Sequence, residues 1–132
     1  MLLPMLNAGT YKQFNFLIDL GYKKAKGPHA GFQEVSGLRK ITGLNKSTDV
    51  TLKRGVIAAA ALQDWLDEIR GDRQGANRTL TIRQQDEEHQ TVHTWKLLRA
   101  RIIKHVSGPF NAKGTDVAME ELVIAYERLE AE

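Results

Sequence analysis

Cysteine is absent from the 132-residue sequence, which excludes a disulfide framework and a thiolate metal site. Aromatic residues make up only 7% of the chain, and most lie at positions predicted to be buried. A protein that binds single-stranded nucleic acid needs exposed aromatics between basic residues, so this composition disfavours one. Met1–Leu6 is apolar but short, lacks a basic leader and contains Pro4, so we expect neither a signal peptide nor membrane insertion. Residues 1–10 are predicted to be either a frayed start or an arm that docks on a neighbour.

Catalytic patterns are also missing. The chain has no glycine-rich phosphate loop, no His-Glu-x-x-His and no paired carboxylates in an acid–base arrangement. Ser36 lacks the glycine two residues earlier that a nucleophile elbow requires. His89 and His93 straddle a predicted hairpin connection, where residues four apart do not converge as they do on a helix. The sequence therefore predicts a protein that is not an enzyme and that holds no metal or cofactor.

The formal net charge of +3 is unevenly distributed. Residues 1–54 contain nine Lys or Arg and three Asp or Glu, whereas residues 55–132 contain ten and thirteen. This asymmetry suits head-to-tail contacts between copies, in which opposite faces of the subunit meet. A nucleic-acid patch and a set of simply solvated faces are the two other interpretations.

Alternation with period two predicts several strands. Thr10–Leu20 places Phe14, Phe16, Ile18 and Leu20 on one face. Ala30–Val56 contains two further strands around the polar segment Arg39–Asp49, and strict alternation in the second groups Arg54 with Val50, Leu52 and Val56. Asn77–Arg83 predicts another strand, followed by a polar hairpin connection at Gln84–Gln90. Thr91–Val106 predicts one bent strand or two, with a bulge at Leu97-Leu98 or Ile102-Ile103.

Ile57–Arg70 changes to a helical period. Apolar residues recur on one face of the predicted helix, and Gly71 is a natural stop. Trp65 is predicted to anchor this helix on a sheet, since a short amphipathic helix is not stable alone. The apolar face consists of Ala58, Ala61, Leu62, Trp65 and Ile69.

A family resemblance is carried by Ala30–Leu38 (Ala-Gly-Phe-Gln-Glu-Val-Ser-Gly-Leu), followed by Leu52–Val56, Trp65, a late Trp95 and Asn111-Ala112. In this order the pieces resemble the tail-tube family of contractile phages. Relatives of that family form the inner tubes of phage-tail-like injection particles and are distantly similar to the tube protein of type VI secretion. The resemblance covers roughly Phe14–Leu129, so the 132 residues are expected to form one domain.

The resemblance implies a mainly β fold with one helix: a small β-sandwich or partly closed barrel of six or seven strands, with the helix on its side. At Val117–Arg128 it implies a last strand with Ala118, Leu122, Ile124 and Tyr126 inward, although Ala118–Leu122 favours a helix by propensity. It also implies six-fold rings that stack into a conduit, with sheath, spike or baseplate proteins as partners and DNA or protein as cargo. Such a subunit assembles in the cytoplasm and then joins a virion tail or an injection particle. By position, the residues predicted at the subunit interface are Glu34, Ser36, Gly37, Lys53, Arg54 and Gly55.

One departure from the family pattern bears on this prediction. Ile41–Leu44 resembles a family element that normally follows a longer segment after the Ser-Gly-Leu, yet here it follows Leu38 almost at once. The missing segment belongs to a hairpin that reaches the adjacent ring, which makes a specialised end ring an alternative to a repeating tube subunit. A basic nucleic-acid-binding module and a small-ligand-binding barrel remain the alternatives from other functional classes.

Overall fold

The computed structural model describes residues 14–21, 27–38, 49–71, 78–107 and 116–131. Within these ranges the chain forms seven strands and one helix. In chain order the elements are β1 (Phe16–Asp19), β2 (Ala30–Ser36), β3 (Asp49–Ala58), α1 (Ala59–Arg70), β4 (Arg78–Gln85), β5 (Thr91–Ser107), β6 (Asp116–Ala125) and β7 (Arg128–Ala131).

Six of the strands close into a barrel. The order along the sheet is β4-β1-β2-β3-β6-β5, and β4 also pairs with β5, which joins the two ends. All of these pairs are antiparallel. Strand β7 continues along the edge of β5 that β6 occupies, since Arg101 lies opposite Ala125 and Leu98 opposite Arg128. The predicted fold class is confirmed, and of the two predicted architectures the barrel is the one observed.

The barrel interior is filled with apolar side chains, and α1 adds to this core. Phe32, Leu52 and Leu80 have no exposed surface. Helix α1 buries Ala61, Leu62 and Trp65 against the same cluster, which confirms the predicted helical stripe and the role of Trp65 as an anchor. Because such burial stabilises by roughly 25 cal/mol per Å² of apolar surface, the core provides most of the folding free energy.

The predicted helix begins too early. Ile57 and Ala58 belong to β3, because they pair with Val117 and Asp116 of β6. The helical stretch therefore starts at Ala59, and Gly71 follows its last residue as predicted. The alanines favour a helix, but the sheet register extends β3 two residues into the predicted helix.

Arg78 fixes α1 to the barrel. Its guanidinium lies 3.0 Å from the Asp64 carboxylate and 2.9 Å from the Glu68 carboxylate, both on α1. The same group lies 5.5 Å from the centre of the Trp65 ring, within the range of a cation–π contact. The Arg78 side chain is only 8% exposed, so these contacts hold the helix against the start of β4.

The predicted alternation of β3 fails at Arg54. Val50 and Leu52 are fully buried, but the next fully buried residue is Ile57 rather than Val56. Arg54 has a left-handed backbone with φ of 59°, which turns the strand and reverses the inward phase beyond it. Strict alternation grouped Arg54 with the core-facing residues, whereas its side chain is exposed.

The strand predicted at Val117–Arg128 is present, but its inward set differs at one position. Met119 is buried instead of Ala118, whereas Leu122, Ile124 and Tyr126 point inward as predicted. The register between β5 and β6 shifts between Val106 and Ser107, which changes the phase of β6 at this level. A second shift between Ile102 and Lys104 confirms the predicted bulge at Ile102-Ile103.

Two predictions fall outside the described residues. These are the N-terminal arm at residues 1–10 and the shortened segment at residues 39–48 that contains Ile41–Leu44. Asn111-Ala112 also lies outside the described ranges.

Candidate assembly surface

Four strands form three consecutive rows of residues at one end of the barrel. In the first row Ser36, Thr51, Val123 and Lys104 lie side by side on β2, β3, β6 and β5. The next two rows have the same strand order. We call these twelve residues the open layer; the second row is Val35, Leu52, Leu122 and His105, and the third is Glu34, Lys53, Glu121 and Val106.

Both outer strands of the open layer lack a neighbour among the described strands. Strand β1 pairs with β2 only at Ala30–Phe32, so it ends before the layer begins. On the other side, the pairing of β4 with β5 stops at Ala100. The Gln33 carbonyl accepts a 3.4 Å hydrogen bond from the Asn15 side chain. Beyond it, the backbones of Glu34–Ser36 and Arg101–Ser107 each present an edge with no described strand beside it, and such edges are templates for pairing with another chain.

The two faces of the open layer differ in chemistry. On the inner face Leu52 and Leu122 are 0% and 1% exposed and belong to the barrel core. On the outer face charges of opposite sign alternate across the row, with Lys53 between Glu34 and Glu121. Because successive residues of a strand point to opposite faces, one layer provides both an apolar core wall and a polar surface.

Ion pairs connect the outer-face charges within the chain. Arg54 contacts Glu34, and Lys104 Nζ lies 3.4 Å from Glu121 Oε1. The Arg54, Glu34 and Lys104 side chains are half exposed or more, so water screens these pairs and each contributes about 0–1 kcal/mol. Such weak pairs can exchange partners when another subunit approaches.

The exposed edge of β5 carries two large aliphatic side chains. Ile103 lies at the bulge, where it has no register partner on β6, and is 50% exposed. Val106 is 39% exposed. All residues from Ile103 to Ser107 are exposed. An aliphatic, unpaired edge is typical of a surface that another protein covers.

The structure brings most of the predicted interface residues to this region. Glu34, Ser36 and Lys53 are in the open layer, and Arg54 follows directly and pairs with Glu34. Gly37 follows the last residue of β2 and has a φ of 95°, a conformation that favours glycine. Their role at an interface stays a prediction.

Gly55 has a structural reason for being glycine. A Cβ placed there would lie 2.0 Å from the Gly31 carbonyl oxygen of β2 and 2.6 Å from the Phe32 ring. The glycine therefore allows β2 and β3 to approach each other where β3 turns. This structural role is separate from its predicted role at the subunit interface.

Sequence reasoning missed the β5 and β6 half of the surface. Lys104, Glu121, Ile103 and Val106 were not among the predicted interface residues, because they join the layer only through the register of distant strands. The available signal was the pair of aliphatic residues Ile103 and Val106, which flank Lys104 and His105 at the predicted bulge.

Described residues line two small hollows near the open layer, and a buried hydroxyl lies beside one of them. One hollow of about 210 Å³ lies beside Phe14, Gly55 and Met119, and another of about 110 Å³ lies beside Arg101 and Tyr126. Both are smaller than the roughly 300–1,000 Å³ of typical small-ligand sites. Burial, followed by the nearby Asp49 carboxylate, raises the pKa of the Tyr126 hydroxyl.

The described residues provide neither a metal site nor a membrane-spanning helix. No group of three or more His, Cys, Asp or Glu side chains within the described ranges could hold a metal ion. The described helix is neither long nor apolar enough to cross a membrane.

The barrel with its flanking helix is shared with solved tube structures. Over 90% of this chain and 88% of the other, it matches the PVC sheath-tube complex of an extracellular contractile injection system, with 21% identity and a TM-score of 0.57. The PVC sheath/tube terminator matches over 100% and 97% of the two chains, with 22% identity and a TM-score of 0.57. Hcp1 from the E. coli EAEC 042 pathovar matches over 89% and 90%, with 11% identity and a TM-score of 0.58. At these identities the similarity establishes a common fold.

The sequence itself establishes the family. The family model of the T4-like virus tail tube protein gp19 matches residues 38–130, so the chain belongs to this family. The resemblance inferred from Ala30–Leu38 and the later residues is thereby confirmed. Among curated proteins, no sequence matches the chain.

Proposed function

We propose that the chain is a structural subunit of the inner tube of a contractile tail or injection particle, in which copies form six-fold rings that stack into a hollow conduit. Membership of the tail tube family supports this function. The solved structures of similar fold include a sheath-tube complex and a sheath/tube terminator. Sheath, spike or baseplate proteins are accordingly the proposed partners, and DNA or protein the proposed cargo. The subunit assembles in the cytoplasm and becomes part of the particle.

The observation that carries this proposal is the open layer, whose two outer edges have no partner strand among the described residues. A small barrel that acts alone gains nothing from leaving two edges of one four-stranded layer uncovered, and such edges promote uncontrolled pairing. A head-to-tail ring covers every such edge, because the left edge of each subunit meets the right edge of the next. The family and the layer thus support the same conclusion by independent routes.

The ten residues at 39–48 favour a specialised end ring as the second form of this function. They belong to the twelve-residue connection from β2 to β3, where the resembled family has a longer hairpin that reaches the adjacent ring. A subunit with a short connection forms rings with less contact to one neighbour in the stack. In this form, purified chains give single rings or short stacks rather than long tubes.

Negative-stain microscopy of the purified chain tests the proposal, with two matched variants. Ile103→Asp places a charge on the exposed edge of β5 and is expected to abolish rings. Val92→Asp makes the same change at an aliphatic residue that is 48% exposed, close to the 50% of Ile103, on the same strand but away from the open layer, and is expected to leave rings intact. Monomers alone for the unmodified chain, or rings unaffected by Ile103→Asp, would contradict the proposal.

A further inference from the structure

We infer that the hollow of about 110 Å³ beside Arg101 and Tyr126 is a binding site for a carboxylate group. We call it the arginine hollow. The residues that line it are Arg99, Arg101, Ala125, Tyr126 and Glu127. All of them belong to one subunit, so the site does not depend on assembly of the ring.

The arginine hollow lies where the partner strand of β5 changes from β6 to β7. Arg101 is opposite Ala125 of β6, whereas Leu98 is opposite Arg128 of β7. The two residues between these strands, Tyr126-Glu127, belong to neither of them. A break in the sheet beside a small alanine side chain leaves space at the surface.

Two guanidinium groups border the arginine hollow. Arg99 and Arg101 are exposed on either side of the buried Ala100, so both side chains are on the outer surface of the barrel. Arg99 Nε lies 3.0 Å from Glu127 Oε1. Arg101 has no ion-pair partner among the described residues. Its guanidinium can therefore donate two parallel hydrogen bonds to an incoming carboxylate.

The backbone of Arg99 is strained for an arginine. Its φ of 55° lies in the left-handed region that favours glycine. From Leu97 to Ala100 strand β5 advances three residues, while its partner β4 advances two between Leu80 and Arg78. Arg99 therefore lies at a bulge, and bulges and strained residues are frequent at binding sites, where they redirect a side chain. An arginine at a position that glycine would occupy with less strain indicates a function for the guanidinium.

The Tyr126 hydroxyl is the third donor of the site. Tyr126 lines the arginine hollow and is 4% exposed. Its hydroxyl has no hydrogen-bond partner among the described residues. A buried hydroxyl without a partner costs free energy, which a bound acceptor recovers. Because burial and then the Asp49 carboxylate raise the pKa of Tyr126, the hydroxyl keeps its proton at neutral pH and can donate it.

The size and charge of the arginine hollow favour a carboxylate over other anions. One water molecule takes up roughly 30 Å³ in the liquid, so a hollow of about 110 Å³ accommodates a group of about three or four non-hydrogen atoms. Two arginines and one glutamate give the lining a formal charge of +1. A single carboxylate neutralises this charge, whereas a phosphate dianion would reverse it.

The position of the arginine hollow indicates the source of the carboxylate. Ala125 is two residues from Val123 on β6, so it lies on the outer face of the same four strands that form the open layer. In the proposed ring we expect this face to border the hole, because the barrel core lies behind the other face. An acidic side chain of a protein inside the conduit would then reach the site. This source rests on the proposed function, whereas the site itself does not.

Saturation-transfer NMR of the unmodified chain with acetate as the probe tests the site, because this method detects a bound small molecule on an assembly of any size. We expect a saturable acetate signal. Arg101→Gln is expected to weaken acetate binding about tenfold or more, and Tyr126→Phe about two- to tenfold. Arg128→Gln is the matched control, since it makes the same change at an exposed arginine that does not line the hollow, and it is expected to leave acetate binding unchanged.

Absence of a saturable acetate signal, or equal loss of signal in Arg101→Gln and Arg128→Gln, overturns the site. Phosphate that displaces acetate at lower concentration than acetate itself requires overturns the choice of a carboxylate. Aspartate blocked at both its amino and carboxyl ends is expected to compete with acetate; if it does not, a free anion rather than a protein side chain is the ligand. None of these results depends on rings, so their failure is distinct from failure of ring formation in micrographs.

Discussion

Substitution of Gly55 by alanine tests whether β2 and β3 approach as closely as the structure shows. The added Cβ would lie 2.0 Å from the Gly31 carbonyl oxygen, whereas real Cβ atoms essentially never come closer than 3.0 Å. The two strands must therefore separate by about 1 Å at this point. Because the obstacle is backbone within a paired strand, no side-chain rotation relieves it.

The cost follows from two terms. A displacement of about 1 Å breaks roughly two ladder hydrogen bonds, which contribute about 1 kcal/mol each. Overpacking against Phe32 adds about 1–3 kcal/mol. The free energy of unfolding of Gly55→Ala is therefore expected to fall by about 3–5 kcal/mol.

Urea unfolding in an Ile103→Asp background measures this cost without a contribution from assembly. Gly31→Ala is the matched control, since its Cβ would meet the side chain of Phe14 at 2.6 Å, and a side chain can rotate away. We expect about 1–2 kcal/mol for the control. If the free energy of unfolding falls by less than about 0.5 kcal/mol in Gly55→Ala, β2 and β3 do not approach as closely as the structure shows. Gly55 would then have no structural role, and only its predicted role at the interface would remain.

Three further predictions concern the helix, the buried hydroxyl and the outer face. Arg78→Met keeps aliphatic contact with Trp65 but removes both ion pairs to α1, so thermal or urea unfolding is expected to show a loss of about 2 kcal/mol; a gain in stability would contradict it. Since the pKa of Tyr126 is raised in the fold, its stabilising contribution is complete below about pH 10 and is lost as the pH rises further. Tyr126→Phe, which also removes a hydroxyl without a hydrogen-bond partner among the described residues, is expected to reduce this alkaline loss of stability; an unchanged pH profile would argue against it. A gold particle is coupled to Thr51→Cys, whose side chain lies on the outer face of the open layer. Because the barrel core lies behind the other face of this layer, the outer face is expected to face the hole of the ring, and the gold is expected at the centre of each ring in electron micrographs. Gold at the ring perimeter would contradict this.

The sequence predicted the elements well because each has a local period. Alternation at Phe16–Leu20 and Leu80–Ile82 and the helical spacing of Ala61, Leu62 and Trp65 result from one-sided burial, which leaves a pattern in a short stretch of chain. At Val117–Ala125 local propensity was divided, and pairing of β6 between β3 and β5 decided in favour of a strand.

Register was the part that sequence could not provide. The left-handed turn at Arg54 and the register shift near Ser107 reverse which residues face inward. Neither position is a glycine, so the sequence does not indicate the change of phase. Closure of the barrel depends on pairing of β4 with both β5 and β1; the hairpin connection indicated the first pairing, but no local pattern encodes the second. For the same reason Glu34 and Lys53 were found as interface candidates, whereas Lys104 on a distant strand was not.

Native mass spectrometry of the unmodified chain counts the subunits in the assembly and is therefore the most direct test of a closed six-membered ring. A six-membered ring predicts a dominant species of six times the 14.8 kDa chain mass, which dissociates to single chains in Ile103→Asp. A single-chain mass at the highest concentration reached, or dimers and tetramers without a six-chain species, would contradict a closed ring joined through the open layer.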